Sequence, residues 1–157
     1  METSMVRPEP LTVLPACVWS DTEQDAIRLG HVSRAMEGKW HVVSEGDTVQ
    51  LLRSWTGHEV YRAEFGPVDA SEGGGWRIVR AEAERDPDRY RNFGAEFDAV
   101  MLELVLRTYA LSEPAAELRT LMVSLVADAT GRTNAPSALV QMSLLGMRTD
   151  PPSADRP

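Results

Sequence analysis

Cysteine is almost missing from the chain: Cys17 stands alone among 157 residues. One thiol closes no intramolecular disulfide and builds neither a thiolate zinc site nor a CxxC redox pair, which fits a reducing compartment. Lysine is equally scarce, with Lys39 the single example, so the positive charge is arginine, whose planar fork suits carboxylates and phosphates. Acidic residues outnumber basic ones, 24 to 16, for a formal net charge of -8. Without clustered cations to displace counterions, nucleic acid is disfavoured as a partner.

Long apolar runs are absent as well. No stretch approaches the roughly 20 residues that a membrane-spanning helix needs. The segment Met1 to Pro10 is acidic and proline-bearing where a signal peptide would be basic and then apolar. These features predict a cytoplasmic protein with no membrane partner. There is also no Walker A loop, no Rossmann glycine fingerprint after a strand, no HExxH and no GxSxG elbow, so no cofactor is expected and no catalytic residue is assigned. His41 and His58 lack a clear third ligand, and the acidic stretch Glu82, Glu84, Asp86 and Asp88 lacks the spacing of a calcium loop; no metal is expected.

What is present is enough for one globular domain. A hydrophobic fraction of 43% over this length supports a real core. The organisation predicted is a single α+β domain over residues 13–148, between flexible proline-bearing tails at 1–12 and 149–157. Ser20-Asp21-Thr22-Glu23 is a capping box that starts a helix at Asp21. Ala26, Leu29, Val32, Ser33 and Met36 share one side of it, and Gly38 supplies the C-terminal cap.

A four-stranded antiparallel meander is expected to follow. Its first hairpin runs from Lys39 to Val43, turns at Glu45-Gly46-Asp47 and returns from Thr48 to Trp55. Thr56-Gly57 makes a second turn into Glu59 to Phe65, and a fourth strand runs from about Trp76 to Ala83. In the third strand, period-2 alternation sends Tyr61, Ala63 and Phe65 to the core and Val60, Arg62 and Glu64 outward. In the second strand, Arg53 and Trp55 share the more apolar face with Val49 and Leu51. A hydrophobic core helix beginning near Gly94 to Glu96 carries Phe97, Val100, Met101, Leu104, Val105, Thr108 and Tyr109. Further helices follow Ser112, bearing Leu118, Leu121, Met122 and Leu125 and then Pro136 to Leu145; they stack on the core helix or make a homodimer contact.

The candidate ligand-binding residues gather around the second hairpin: Arg53, Ser54, Trp55, Thr56, His58 and Tyr61. A guanidinium, hydroxyls, an imidazole and aromatic faces suit a phosphate or carboxylate held beside a planar ring. Two readings of Arg53 stay open. Either it forms an internal ion pair with Glu59, Glu64 or Asp98, or it is presented to a ligand. An acid/base role in catalysis would need His58 or Glu59 close to it.

The ordered set Lys39-Trp40, Arg53-Ser54-Trp55-Thr56-Gly57-His58, Tyr61, Arg85-Asp86-Pro87 with Tyr90, Phe97-Asp98 and the apolar run Leu102 to Leu106 resembles a small bacterial domain family. The resemblance spans about residues 39–107 and departs at the glycine-rich insertion before Trp76 and the helices after Ser112. Such domains occur alone or beside ADP-ribose-processing modules such as ADP-ribosylglycohydrolases. The resemblance implies a small binding domain for an ADP-ribose-like or nucleotide-like ligand, with Lys39, Trp40, Arg53, Ser54, Trp55, Thr56, Gly57, Tyr61 and Asp86 as the positions to watch. A protein-interaction module of immunity-like or chaperone-like kind, and a hydrolase or transferase acting on an ADP-ribosyl substrate, are the alternatives.

Overall fold

The computed structural model describes residues 4–131 and 136–147; the tail expected over residues 149–157 lies outside them. The fold is α+β, a five-stranded antiparallel sheet with helices. In chain order the elements are β1 (Pro8–Pro10), α1 (Asp21–Leu29), β2 (Trp40–Glu45), β3 (Thr48–Arg53), β4 (Glu59–Pro67), β5 (Trp76–Glu84), α2 (Ala95–Val105), α3 (Ala116–Thr130) and α4 (Ser137–Leu144). The sheet order is β1-β5-β4-β3-β2.

The expected meander is therefore β2 to β5, and the correction is a fifth strand ahead of the first helix. Residues that proline marks as a loose tail instead line the edge of β5, with Pro8 opposite Glu84 and Pro10 opposite Glu82. An edge strand tolerates proline because only one of its sides needs donors. The segment is anchored by the buried Glu84 carboxylate, which accepts from the amides of Val6 and Arg7, each at 2.8 Å, and by Leu11 N donating to the Ala81 carbonyl at 2.9 Å. Burial alone would raise the Glu84 pKa, but these amides outweigh it and hold the carboxyl below its usual value.

The capping box forms as expected: Ser20 Oγ accepts from Glu23 N, and the Glu23 carboxylate accepts from Ser20 N. The helix stops at Leu29, well short of Gly38. His31 pairs with Val42 through two backbone hydrogen bonds of 2.9 and 2.8 Å. That approach needs Gly30, at φ +70°, where an added Cβ would lie 2.5 Å from the Val42 carbonyl oxygen. The covering face is consequently Gln24 and Ile27, while Leu29, Val32 and Met36 are exposed.

The β2-β3 hairpin closes on the two residues Gly46 and Asp47, with Glu45 opposite Thr48. In β4, Tyr61, Ala63 and Phe65 are buried as the alternation predicts. Val60 is buried too, because the register jumps from Leu51–Tyr61 to Leu52–Glu59 and leaves Val60 as the extra residue of a bulge that re-aims its side chain. Helix α2 is the central core helix, burying Phe97, Met101, Leu102, Leu104 and Val105; it continues into a π-helical stretch, Leu106–Ala110, that buries Tyr109. No helix among the described residues is long and apolar enough to cross a membrane.

Candidate functional site

Trp40, the first residue of β2, is fully buried and stacks on Tyr61 of β4, with ring centroids 6.1 Å apart and an interplanar angle of 24°. Tyr90 stands edge-on to both rings, at 5.9 and 5.7 Å. Beneath them the Tyr61 hydroxyl donates to Oδ1 of the buried Asp98 at 2.9 Å, and Arg85 Nη2 donates to Oδ2 at 2.8 Å. Burial first, then the Tyr90 and Asp98 neighbours, pushes the Tyr61 phenol far above its usual value. Burial also raises Tyr90, to about 12, against the opposing pull of Arg53.

Arg53 lies across this aromatic group. Its guanidinium carbon is 4.8 Å from the centre of the Trp40 ring, the geometry of a cation–π contact. Nη1 donates to the Leu144 carbonyl at 3.0 Å and Nη2 to the Ser143 carbonyl at 3.3 Å, while Trp40 Nε1 donates to the same Leu144 oxygen at 2.8 Å. These are the free carbonyls at the C-terminus of α4, where a cation is favourable. The ion pair expected for Arg53 does not form. Glu59 is taken by Arg62 through two bonds of 2.8 Å and by Gln50 at 2.9 Å, Glu64 by Arg80, and Asp98 by Arg85. Burial lowers the Arg53 pKa, with Tyr90, Tyr109 and Tyr61 acting against that.

The outer side of Arg53 opens on a cavity of about 520 Å³ between the strand end and the pair α3-α4. Arg89 and Arg91 join Arg53 in lining it; Arg89 Nη1 donates to the Ser4 carbonyl at 3.0 Å, and Arg91 lies 5.1 Å over the Phe93 ring. Tyr90 and Phe93 add aromatic surface, while Val123, Val126 and Ala127 of α3 and Leu139, Val140 and Leu144 of α4 supply an aliphatic wall. No aspartate or glutamate is among the described residues lining it. In a chain of net charge -8, three arginines thus line the cavity with no acid among its described lining residues.

The six residues expected as one site are divided. Strand β3 ends at Arg53, and the chain then turns, with Gly57 N donating to the Arg53 carbonyl at 2.8 Å and Arg53 N to the His58 carbonyl at 3.0 Å. Alternation stops where the strand stops, so Trp55 does not share the face of Arg53; it is 66% exposed, with Lys39 Nζ 5.8 Å from its ring. Ser54 Oγ donates to the Gly38 carbonyl at 2.6 Å, and Thr56 Oγ1 accepts from His58 N at 3.1 Å. Ser54, Trp55, Thr56 and His58 thus build and decorate the turn rather than the cavity, and Tyr61 supports the cavity from the core through Trp40 and Tyr90. Glu59, expected as an acid or base, is buried in its bond network. Sequence reading missed Arg89, Arg91 and Phe93 as lining residues, although the alternating string Asp88-Arg89-Tyr90-Arg91 is a visible signal.

A second arginine–tryptophan seat lies around Trp19. Arg107 sits 4.5 Å over that ring and binds Glu103 at 2.7 Å and Glu113 at 3.2 Å, with Glu23 at 3.8 Å. Burial, then the Glu103 charge, raises the neighbouring Cys17 thiol to about 11. Among the described residues, no group of three or more His, Cys, Asp or Glu is placed to hold a metal ion. Neither a family model, nor a curated protein, nor a solved structure matches the chain.

Proposed function

We propose that the chain is a small-molecule binding domain whose ligand is an organic anion held at the Arg53 cavity, in the nucleotide-like or ADP-ribose-like class that the family resemblance implies. The observation that carries this reading is the arginine-lined cavity of about 520 Å³, with no acid among its described lining residues, in an otherwise acidic chain. Ligand sites are typically concave and mostly apolar, with a few convergent polar groups, and this one has that make-up. Arg53 keeps donors beyond the two bound to α4 and is held in place by Trp40, which suits an anion received without reorganisation. Titration calorimetry with AMP, NAD, ADP-ribose and inorganic phosphate tests it. At least one should bind, and binding should weaken in Arg53→Gln. Silence from all four at millimolar concentration removes the nucleotide-like class.

A second reading, a protein-interaction module, is favoured by one observation. Leu29, Val32 and Met36, freed by the early end of α1, are 88%, 57% and 70% exposed. A stoichiometric partner lost in Leu29→Ser/Met36→Ser would support it, and retention of that partner by the double variant would count against this surface.

A further inference from the structure

We infer that the ligand's uncharged half is aliphatic, so that the cavity takes an amphiphilic acyl anion, with the carboxylate at the arginines and the chain between α3 and α4. This rests on the anion-binding part of the reading above and puts an acyl chain where that reading puts a nucleotide.

The argument comes from what the cavity can offer to each half of a ligand. At the Arg53 end, Arg53, Arg89 and Arg91 contribute donors beside the Tyr90 and Phe93 rings, and no acid among the described lining residues competes with an incoming anion. Away from it, the wall is aliphatic, made by Val123 and Val126 of α3 and Leu139 and Val140 of α4. Reading the edge of a base requires paired donors and acceptors whose loss is costly, as side-chain amides and carboxylates provide. Among the described lining residues there are none of these; the hydrogen-bonding side chains there other than arginine are the hydroxyls of Tyr90, Thr130 and Ser143. Thr130 already donates to the Val126 carbonyl at 2.8 Å. A polar ring placed against that wall would lose hydration without compensation, whereas an alkyl chain gains from leaving water. Leu139, 66% exposed on α4, gives the wall a solvent-facing rim that such a chain would cover.

Calorimetry with hexanoate, octanoate and decanoate below their micelle concentrations, beside octanamide and AMP, tests the inference. Affinity should rise about fourfold for each added methylene. Octanamide, which keeps the chain and lacks the charge, should bind at least about tenfold more weakly than octanoate. Because Arg53→Gln also removes the cap on α4, the informative variant is Arg91→Gln, on the exposed side of the cavity. It should weaken octanoate about tenfold and leave octanamide unchanged. Val126→Glu, checked for folding by circular dichroism, should abolish chain-length dependence. Binding of AMP or phosphate without binding of any acyl anion overturns the aliphatic assignment and leaves the anion reading standing. Equal affinity for octanoate and octanamide, or no binding by any compound, overturns both.

Discussion

Arg53 and Arg107 occupy the same kind of seat and serve opposite ends. Each guanidinium lies over the face of a fully buried tryptophan, Trp40 at 4.8 Å and Trp19 at 4.5 Å. Around Arg107 the remaining donors meet Glu103, Glu113 and Glu23, so the charge is neutralised locally. Around Arg53 the described residues offer only helix-terminal carbonyls, which carry partial charge in place of a carboxylate beside an open cavity. A tryptophan platform thus fixes where a guanidinium sits, and the presence or absence of carboxylates decides whether it is structural or available.

Removing a platform is the most disruptive way to test the contrast. Trp40→Ala deletes a fully buried ring, the support of Tyr61 and a bond to Leu144, and should cost about 3–5 kcal/mol in urea denaturation. A loss below about 1 kcal/mol would mean that the aromatic group does not organise the strand end. Glu103→Gln should cost less, about 1–3 kcal/mol, because it takes the nearest carboxylate from Arg107. It should also lower the Cys17 pKa from about 11 and speed alkylation at mildly alkaline pH, although burial still restrains the thiol. If alkylation is unchanged, Glu103 is not tuning it. Arg53→Gln should destabilise by about 1–2 kcal/mol, the value of its two carbonyl bonds, while weakening anion binding. A variant that keeps full affinity would erase the contrast between the two arginines.

The smallest effect expected is in pH dependence. Tyr61, Tyr90 and Cys17 are all pushed above their usual values, so neither cluster draws a pH dependence from them near neutrality. His41 is different: burial lowers its pKa from 6.5, and its Nδ1 accepts from Ser33 N at 3.0 Å, a bond available only to the neutral ring. The unfolded chain therefore binds a proton before the folded one does. The stability contributed by neutral His41 is present above about pH 6.5 and is lost as pH falls through and below that value. His41→Gln should flatten this part of the stability-versus-pH curve; an unaltered slope would assign it to another group.

Local signals were legible and distant ones were not. Ser20 and Glu23 announce the start of α1, and the spacing of Tyr61, Ala63 and Phe65 marks the buried face of β4, because the interactions responsible lie within a few residues. The end of α1 was misplaced because Gly30 is demanded by the approach of Val42, a contact that pattern within the helix does not encode. β1 was missed because proline reads as an interruption, while its role depends on a β5 edge some 70 residues away; Leu11 donates to Ala81 there. Arg53 was singled out correctly as a residue in need of partners, but those partners are carbonyls 90 and 91 positions later. The cavity needs α3 and α4 folded back on that strand end, an arrangement written in no single motif.

The docking of the chain's last described residues also has a kinetic side. Trp40 and Arg53 hold the Leu144 carbonyl, Tyr109 holds that of Leu145, and Met147 N donates to the Glu37 carbonyl at 2.9 Å. Gly146 fits this latch because an added Cβ would meet the Glu37 oxygen. Two of these contacts close loops of more than 100 residues, the 104 between Trp40 and Leu144 and the 110 between Glu37 and Met147. Contacts of that separation form late, after their loop entropy has been offset by the rest of the fold. During synthesis the residues of the sheet and α2 emerge before residue 144, so the cavity matures only after them. A ligand that binds there would select chains folded through α4 over nascent ones, and stabilise them by an amount that grows with the logarithm of its concentration above Kd.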